Sequence, residues 1–227
     1  MWTNWRLAIP NCLRGAGTSS SIALRYPDGS MRWLGAISIA GFVLVALFWS
    51  STGGRRPPGV LVSEEPEQRT IWQPTAWKVG NYHLIPLATY HIRARVLLAE
   101  HYWFGREADL SPVDLTVGWR LMSNQDVLDQ LRLYSVRRAF TWQGRGSKLP
   151  AREDDIIAHS ANMHLIPANP QIADEIKDMG KGDLVDLNGY LVEVDAPDGW
   201  RWRSSLVRTD TGEGACELMW VIKASKF

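Results

Sequence analysis

The stretch LVDLNGYLVEV, residues 184–194, predicts one long β-strand at the centre of the fold. Side chains alternate between the two faces of a strand, so each face can be considered separately. Both faces are rich in apolar groups: Leu184, Tyr190, Val192 and Val194 on one, and Val185, Leu187 and Leu191 on the other. A strand that is apolar on both faces belongs inside a sheet rather than at its rim, and Gly189 predicts a bend within it.

The segments on either side of this strand predict a helix before it and a hairpin after it. Asn169-Pro170 is typical of a helix start, with a capping side chain followed by proline at the first helical position. Gly180 predicts a left-handed end of that helix. Asp198-Gly199 predicts a tight turn, so residues 200–203 are expected to pair back onto the long strand.

Other stretches also alternate as strands do, namely residues 90–97, 134–142 and 218–222. In the first of these, Arg93 and Arg95 fall on the polar face. A second short helix is expected to begin at Ser123. The fold class is therefore α+β: residues 77–227 form a mainly β domain with two short helices. We expect a small barrel or a curved antiparallel sheet, OB-like or SH3-like.

Nearer the N-terminus, WLGAISIAGFVLVALFWSS at residues 33–51 contains no charged residue over 19 positions. A helix rises about 1.5 Å per residue, so this segment is just long enough to cross a hydrocarbon core of roughly 30 Å. Trp33 and Trp49 lie near its ends, where aromatic rings favour the headgroup level. The segment predicts a transmembrane helix. The alternative is a cleaved signal peptide that starts at Met31, but no A-x-A-like cleavage site follows.

Charge around the apolar segment predicts the topology. Residues 1–32 form a basic cytoplasmic tail, or an unused upstream start, and the positive-inside rule then places the C-terminal domain outside. Residues 52–76 contain GGRRPPG and are expected to be a linker. Cys12 and Cys216 are the two cysteines of the chain, and this topology separates them, so no intrachain disulfide is expected.

The overall charge limits the partners. The chain has 25 Lys and Arg against 24 Asp and Glu, without a basic stripe, which argues against nucleic acid. The expected partners are the lipid bilayer, through residues 33–51, and a protein in the membrane or periplasm. We expect no cofactor and no metal.

The densest group of chemically active side chains lies in HSANMH, residues 159–164. His159 and His164 are five residues apart, so on a strand they point to opposite faces, whereas Asn162 and His164 share one face. Either histidine with Cys216 is the kind of pair that thiol enzymes use. The catalytic candidates are therefore His159, Asn162, His164 and Cys216.

Tryptophan is frequent, with 12 residues in the chain. Trp200 and Trp202 share one strand face, and Arg201 and Arg203 lie on the other. Such a row of large aromatic side chains is a candidate surface for binding a ligand or a partner.

Four longer phrases carry a resemblance to other proteins. They are RVLL at 95–98, GREADLSPVDLTVGW at 105–119, HSANMHLIPAN at 159–169 and WRWRSSLVRTDTGEGACELMWV at 200–221. They resemble an uncharacterised family of bacterial proteins with one N-terminal membrane helix. The resemblance implies a single-pass protein of the bacterial inner membrane and transfers no catalytic residue.

These observations favour a membrane-anchored periplasmic binding or interaction module. An anchor, a linker and a Trp-rich β domain are present, but no complete catalytic constellation is recognisable. The alternative is a periplasmic hydrolase or transferase that uses His159, Asn162, His164 or Cys216.

Overall fold

The computed structural model describes residues 54–227, which form a mainly β domain with a curved, partly closed sheet and a few short helices, as predicted. Its strands are β1 (Glu67–Thr70), β2 (Trp77–Val79), β3 (Tyr82–His101), β4 (Val113–Gly118), β5 (Leu131–Val136), β6 (Ala139–Gly144), β7 (Ser160–Pro167), β8 (Leu184–Asp195), β9 (Arg201–Arg203) and β10 (Glu217–Lys226). Its helices are α1 (Arg106–Leu110), α2 (Gln125–Leu128), α3 (Glu153–Ala158) and α4 (Pro170–Lys177), with a 3₁₀ turn at Arg120–Ser123. Helices are thus more numerous than the two predicted.

Five strands form a ring of pairings in the order β3, β4, β7, β10, β8 and back to β3, here called the strand ring. The pairs are antiparallel except that of β7 with β10. The ring closes because β3 is 20 residues long. It pairs with β8 between His83 and Arg95, and with β4 from Arg95 to His101. Register shifts after Pro86 and Val96 allow β3 to bend around the core.

Strand β8 confirms the central strand predicted from the sequence, because it pairs with β3 on one side and β10 on the other. Val185 and Leu187 are fully buried in the main core, whereas Val192 and Val194 pack in a second apolar cluster. A Cβ atom at Gly189 would clash with the Trp220 carbonyl oxygen. Glycine therefore permits the close approach of β10 at this point.

Helix α4 begins as predicted but ends differently. The Asn169 side chain accepts a hydrogen bond from the Ile172 N–H (3.0 Å), and Pro170 is the first helical residue. The helix ends at Lys177, and the left-handed glycine is Gly182 (φ 92°) rather than Gly180. Gly182 lies directly against the backbone of Gly54, which leaves no room for a side chain.

Three local predictions need correction. The alternating stretch 134–142 is not one strand but the β5–β6 hairpin, whose two-residue turn is Arg137-Arg138. Arg95 is not on an exposed face: it is 2% exposed and donates to the carbonyl oxygens of Gly54 (2.8 Å) and Ser123 (3.0 Å). The helix expected at Ser123 starts after Asn124, whose side chain caps it.

The segment predicted as a linker, 52–76, differs from that prediction over 54–76. Within it, β1 pairs with β3, and Val62 is 1% exposed in the main core. Apolar side chains between its prolines and glycines dock it on the domain. The predicted transmembrane segment, 33–51, and the tail, 1–32, lie outside the described residues. Within residues 54–227, no helix is both long and apolar enough to cross a bilayer.

Candidate functional site

Four buried polar residues line the outer face of the strand ring where β4 pairs with β7: Asp114, Thr116, Asn162 and His164, here called the outer polar cluster. They alternate with core residues such as Leu115 and Met163, so their side chains point away from the ring interior. The pairing register sets Asp114 opposite His164 and Thr116 opposite Asn162. Each is at most 7% exposed, although none lies in the main core.

The tip of the β5–β6 hairpin covers this cluster. Arg137 (φ 51°) and Arg138 (φ 63°) both have left-handed backbones, which is the geometry of a tight two-residue hairpin turn. The Arg138 guanidinium donates two hydrogen bonds to Asp114, at 3.0 Å to Oδ2 and 2.5 Å to Oδ1. It also donates to the Ser111 carbonyl oxygen (2.8 Å). Two hydrogen bonds between a guanidinium and one carboxylate make a strong, well-oriented contact.

Aromatic rings complete the surroundings of Arg138. Its Cζ atom lies 4.1 Å from the centroid of the Tyr102 ring and 5.3 Å from that of Trp202. The His164 ring is 4.9 Å from the Trp202 ring. Its Nδ1 atom lies 2.9 Å from Asp114 Oδ1, although the two atoms are not oriented for a hydrogen bond, and Nδ1 has no other hydrogen-bond partner among residues 54–227.

The two candidate histidines do not meet. His159 precedes β7, where its Nδ1 atom contacts the Asp155 carbonyl oxygen (2.7 Å) and its Nε2 atom lies 3.6 Å from Glu65. His164 faces the outer polar cluster instead, and Asn162 shares that face as predicted. Among residues 54–227, no three side chains of His, Cys, Asp or Glu lie close enough together to hold one metal ion.

Cys216 lies beside Asn162 rather than beside a histidine. The Asn162 Nδ2 atom donates to Cys216 Sγ (3.5 Å) and to the Arg138 carbonyl oxygen (2.9 Å). Burial raises the pKa of the Cys216 thiol to about 11, so the thiol stays protonated near neutral pH. A protonated thiol is a poor nucleophile.

Trp200 and Trp202 are half-buried members of an aromatic cluster that includes Trp77, Tyr82, Tyr190 and Trp220. The rings meet edge to face, as in the Trp200–Trp202 contact at 6.0 Å. Arg201 and Arg203 point away and pair with acidic residues of β8, as the alternation predicts. The two tryptophans therefore contribute to packing as well as to a surface.

More exposed aromatic side chains occur in the loop after β3, where Trp103 is 74% exposed and Phe104 is 93% exposed. Next to them, the Arg106 guanidinium lies 5.3 Å from the Trp200 ring and pairs with Asp198. This ion pair joins the β3–β4 loop to the turn between β8 and β9.

A second polar group occupies one end of the strand ring. Residues 62–66, here called the strap, place Glu65 where it accepts a hydrogen bond from Trp119 (2.8 Å) and pairs with Arg120 (2.6 Å) and Arg208 (3.4 Å). Inside the ring, Tyr90 OH and Glu217 Oε2 are buried without hydrogen-bond partners among residues 54–227. Burial raises the pKa of Glu217 to about 8 and that of Tyr90 well above its usual value.

Sequence reasoning missed Asp114, Arg138 and Glu217. The sequence did contain a signal for two of them. Asp114 is a polar residue at an alternate position of the apolar stretch VDLTV, as Asn162 and His164 are in ANMHL, and Glu217 is the one acid in CELMWV. Arg138 had none, because Arg-Arg lacks the Gly or Asn that usually marks such a turn. Comparisons with protein-family models, curated proteins and solved structures found no match for this chain.

Proposed function

We propose that this protein is a single-pass inner-membrane protein whose C-terminal domain is an OB-like periplasmic binding module for a protein partner. The strand order supports the OB-like assignment. Numbered along the chain within the ring, the strands run first, second, third, fifth, fourth, with the third and fifth parallel and a helix between the third and fourth. In OB folds the face of the second and third strands and two flanking loops bind ligands, although fold alone does not assign function.

The observation that carries the proposal is the exposed pair Trp103 and Phe104. Aromatic residues left in water at the tip of one loop are typical of a contact surface. The β3–β4 loop that carries them corresponds to one of the two flanking loops of an OB fold. The Arg106–Asp198 pair joins it to the other.

The Trp103–Phe104 loop and Gly54, where the described part of the chain begins, lie at opposite ends of β4. The chain begins its described part at Gly54, whose carbonyl oxygen accepts a hydrogen bond from Arg95, and Arg95 pairs with Gly118 at the end of β4. The Trp103–Phe104 loop leads to Val113 at the start of β4. The six extended residues of β4 span roughly 17 Å. This length separates the Gly54 contact, at the end of β4, from the Trp103–Phe104 loop, which leads to its start.

The hydrolase or transferase alternative has less support. Its candidate nucleophile, Cys216, contacts Asn162 and the Arg138 carbonyl oxygen, and His159 and His164 occupy separate surroundings. A thiol enzyme needs its histidine within hydrogen-bond reach of the sulfur.

Photo-crosslinking of the full-length protein in intact membranes tests the proposal. We expect a photoreactive residue at Phe104 to give one discrete protein adduct, and Trp103→Ser in the same chain to abolish it. The matched control is the same probe at Val60, which is 53% exposed in the segment before β1, outside both flanking loops. Adducts that are equal at both positions, or that survive Trp103→Ser, would contradict the proposal.

The orientation has its own test. A reporter that is active only outside the cytoplasm, fused after Phe227, is expected to be active. Activity of a cytoplasm-only reporter at that position would reverse the predicted topology.

A further inference from the structure

Arg138 fills a complete set of groups suited to a guanidinium. The set, here called the cage, consists of the Asp114 carboxylate, the carbonyl and hydroxyl oxygens of Ser111, and the rings of Tyr102 and Trp202. The carboxylate accepts two hydrogen bonds from one guanidinium, and the guanidinium carbon lies over both rings. Carboxylate and aromatic groups together are what guanidinium recognition requires.

The cage is built without the hairpin. Tyr102 follows β3, Ser111 precedes β4, Asp114 belongs to β4 and Trp202 to β9. Asp114 is 2% exposed with the hairpin in place, and its position on β4, between β3 and β7, is set by the strand ring. A buried carboxylate that loses its cation is strongly unfavourable, which means that an empty cage attracts another cation of matching shape.

The hairpin that supplies Arg138 does not pair with the strand ring, although its base packs on the ring through Leu131 and Leu97. Strands β5 and β6 form their own two-stranded sheet. At its tip, two consecutive residues with side chains adopt left-handed backbones, a conformation that L-residues other than Gly, Asn and Asp adopt at a cost. Beside the tip, Tyr134 and Val136 are 42% and 56% exposed. The tip therefore carries stored strain and an uncovered apolar face.

We propose that the cage is an arginine-recognition site, occupied in cis by Arg138, which accepts an arginine side chain of a protein partner when the hairpin tip is displaced. The outer polar cluster, in which His164 Nδ1 lies 2.9 Å from Asp114 Oδ1, then forms the polar surface beside the bound arginine. This inference rests on the proposed function, since it assigns the chemistry of the partner.

The first test is chemical rescue of Arg138→Ala in the full-length protein in detergent. We expect its thermal midpoint to fall and to be raised again, saturably, by millimolar methylguanidinium. Methylammonium carries the same charge but cannot donate to both carboxylate oxygens at once. We therefore expect methylammonium to bind at least about tenfold more weakly than methylguanidinium. Adding Asp114→Asn to Arg138→Ala should abolish the rescue.

The matched control is Arg106→Ala, because Arg106 also pairs with a carboxylate beside a tryptophan, but at an exposed position where Asp198 is 54% exposed. No rescue is expected there. The proposal is wrong if Arg138→Ala gains nothing from methylguanidinium, or gains equally from methylammonium. If Arg138→Ala does not fold by itself, the yield of refolded protein is measured with methylguanidinium and with methylammonium. A higher yield with methylguanidinium alone supports the proposal, and an equal or unchanged yield contradicts it.

The second test concerns the partner. With a photoreactive residue at Val136 in membranes, Arg138→Ala should give more protein adduct than the parent, and methylguanidinium should compete it away. Rescue without competition would overturn the partner part of the proposal. Failure of the Phe104 crosslink, by contrast, leaves the methylguanidinium rescue unaffected, so the two proposals fail separately.

Discussion

The outer polar cluster and the strap-covered end of the strand ring both bury a carboxylate, but they treat it differently. Asp114 receives two hydrogen bonds from a guanidinium, whereas Glu217 keeps one carboxyl oxygen without a hydrogen-bond partner among residues 54–227. Arg208 lies near enough to Glu217 to interact with its charge, but it donates to the Pro66 carbonyl oxygen and pairs with Glu65 of the strap. A buried carboxylate therefore holds the hairpin tip on the outer polar cluster through Asp114, and makes the stability of the strap-covered end depend on pH through Glu217.

The largest expected effect comes from breaking the paired carboxylate. Asp114→Ala leaves the Arg138 guanidinium, whose side chain is 17% exposed, without a counter-charge. Removing one partner of a buried pair costs about 3–5 kcal/mol, and urea denaturation measures it. Because the loss comes from an isolated charge, Asp114→Ala/Arg138→Met should recover part of it. A double variant no more stable than the single one would contradict this explanation.

A pH-dependent effect that is at most of similar size is expected at the unpaired carboxylate. Between about pH 4.5 and pH 8 the unfolded chain releases the Glu217 proton while the folded protein keeps it. The free energy of unfolding from this group therefore falls as pH rises, by at most about 1.4 kcal/mol per unit. Glu217→Gln should flatten this part of the profile and stabilise the protein at pH 8.

The pH profile of Glu217→Gln is best compared with that of Asp114→Ala. Urea denaturation of both variants and the parent at pH 5 and pH 8 makes the comparison. An unchanged slope in Glu217→Gln would mean that Glu217 is already ionised in the folded protein.

The smallest effect is expected at the exposed ion pair between Arg106 and Asp198. Asp198→Ala removes the partner of Arg106 where both side chains reach solvent, and exposed ion pairs contribute little. The urea midpoint should stay close to that of the parent, and the small difference should vanish in high salt. A loss as large as that of Asp114→Ala would show that exposure is not what separates the two pairs.

Local patterns predicted part of this fold well. The central strand, the start of α4 at Asn169-Pro170 and the turn at Asp198-Gly199 were found because alternation, capping and turn residues act within a few positions. The linker prediction failed over 54–76 because Pro and Gly describe the backbone, not what Val62 docks against.

The candidate site was predicted only in fragments. Asn162 and His164 were placed on one face from their spacing alone, which the structure confirms. Arg138 lies 24 positions from both Asp114 and Asn162, and no local pattern connects them. Trp200 and Trp202 were recognised as a pair, but their packing against Tyr82 and His164 was not.

The sequence by itself determined a mainly β domain with a buried central strand, because strand alternation and apolar burial are properties of neighbouring residues. Only the tertiary structure decided which charges meet. Ring closure through β3 and the register of β4 on β7 bring Asp114, His164 and Arg138 together. They also place Glu217 near Tyr90, with Glu217 Oε2 lacking a hydrogen-bond partner among residues 54–227. Such contacts depend on where distant strands pair, and the energy of a buried charge depends on those contacts.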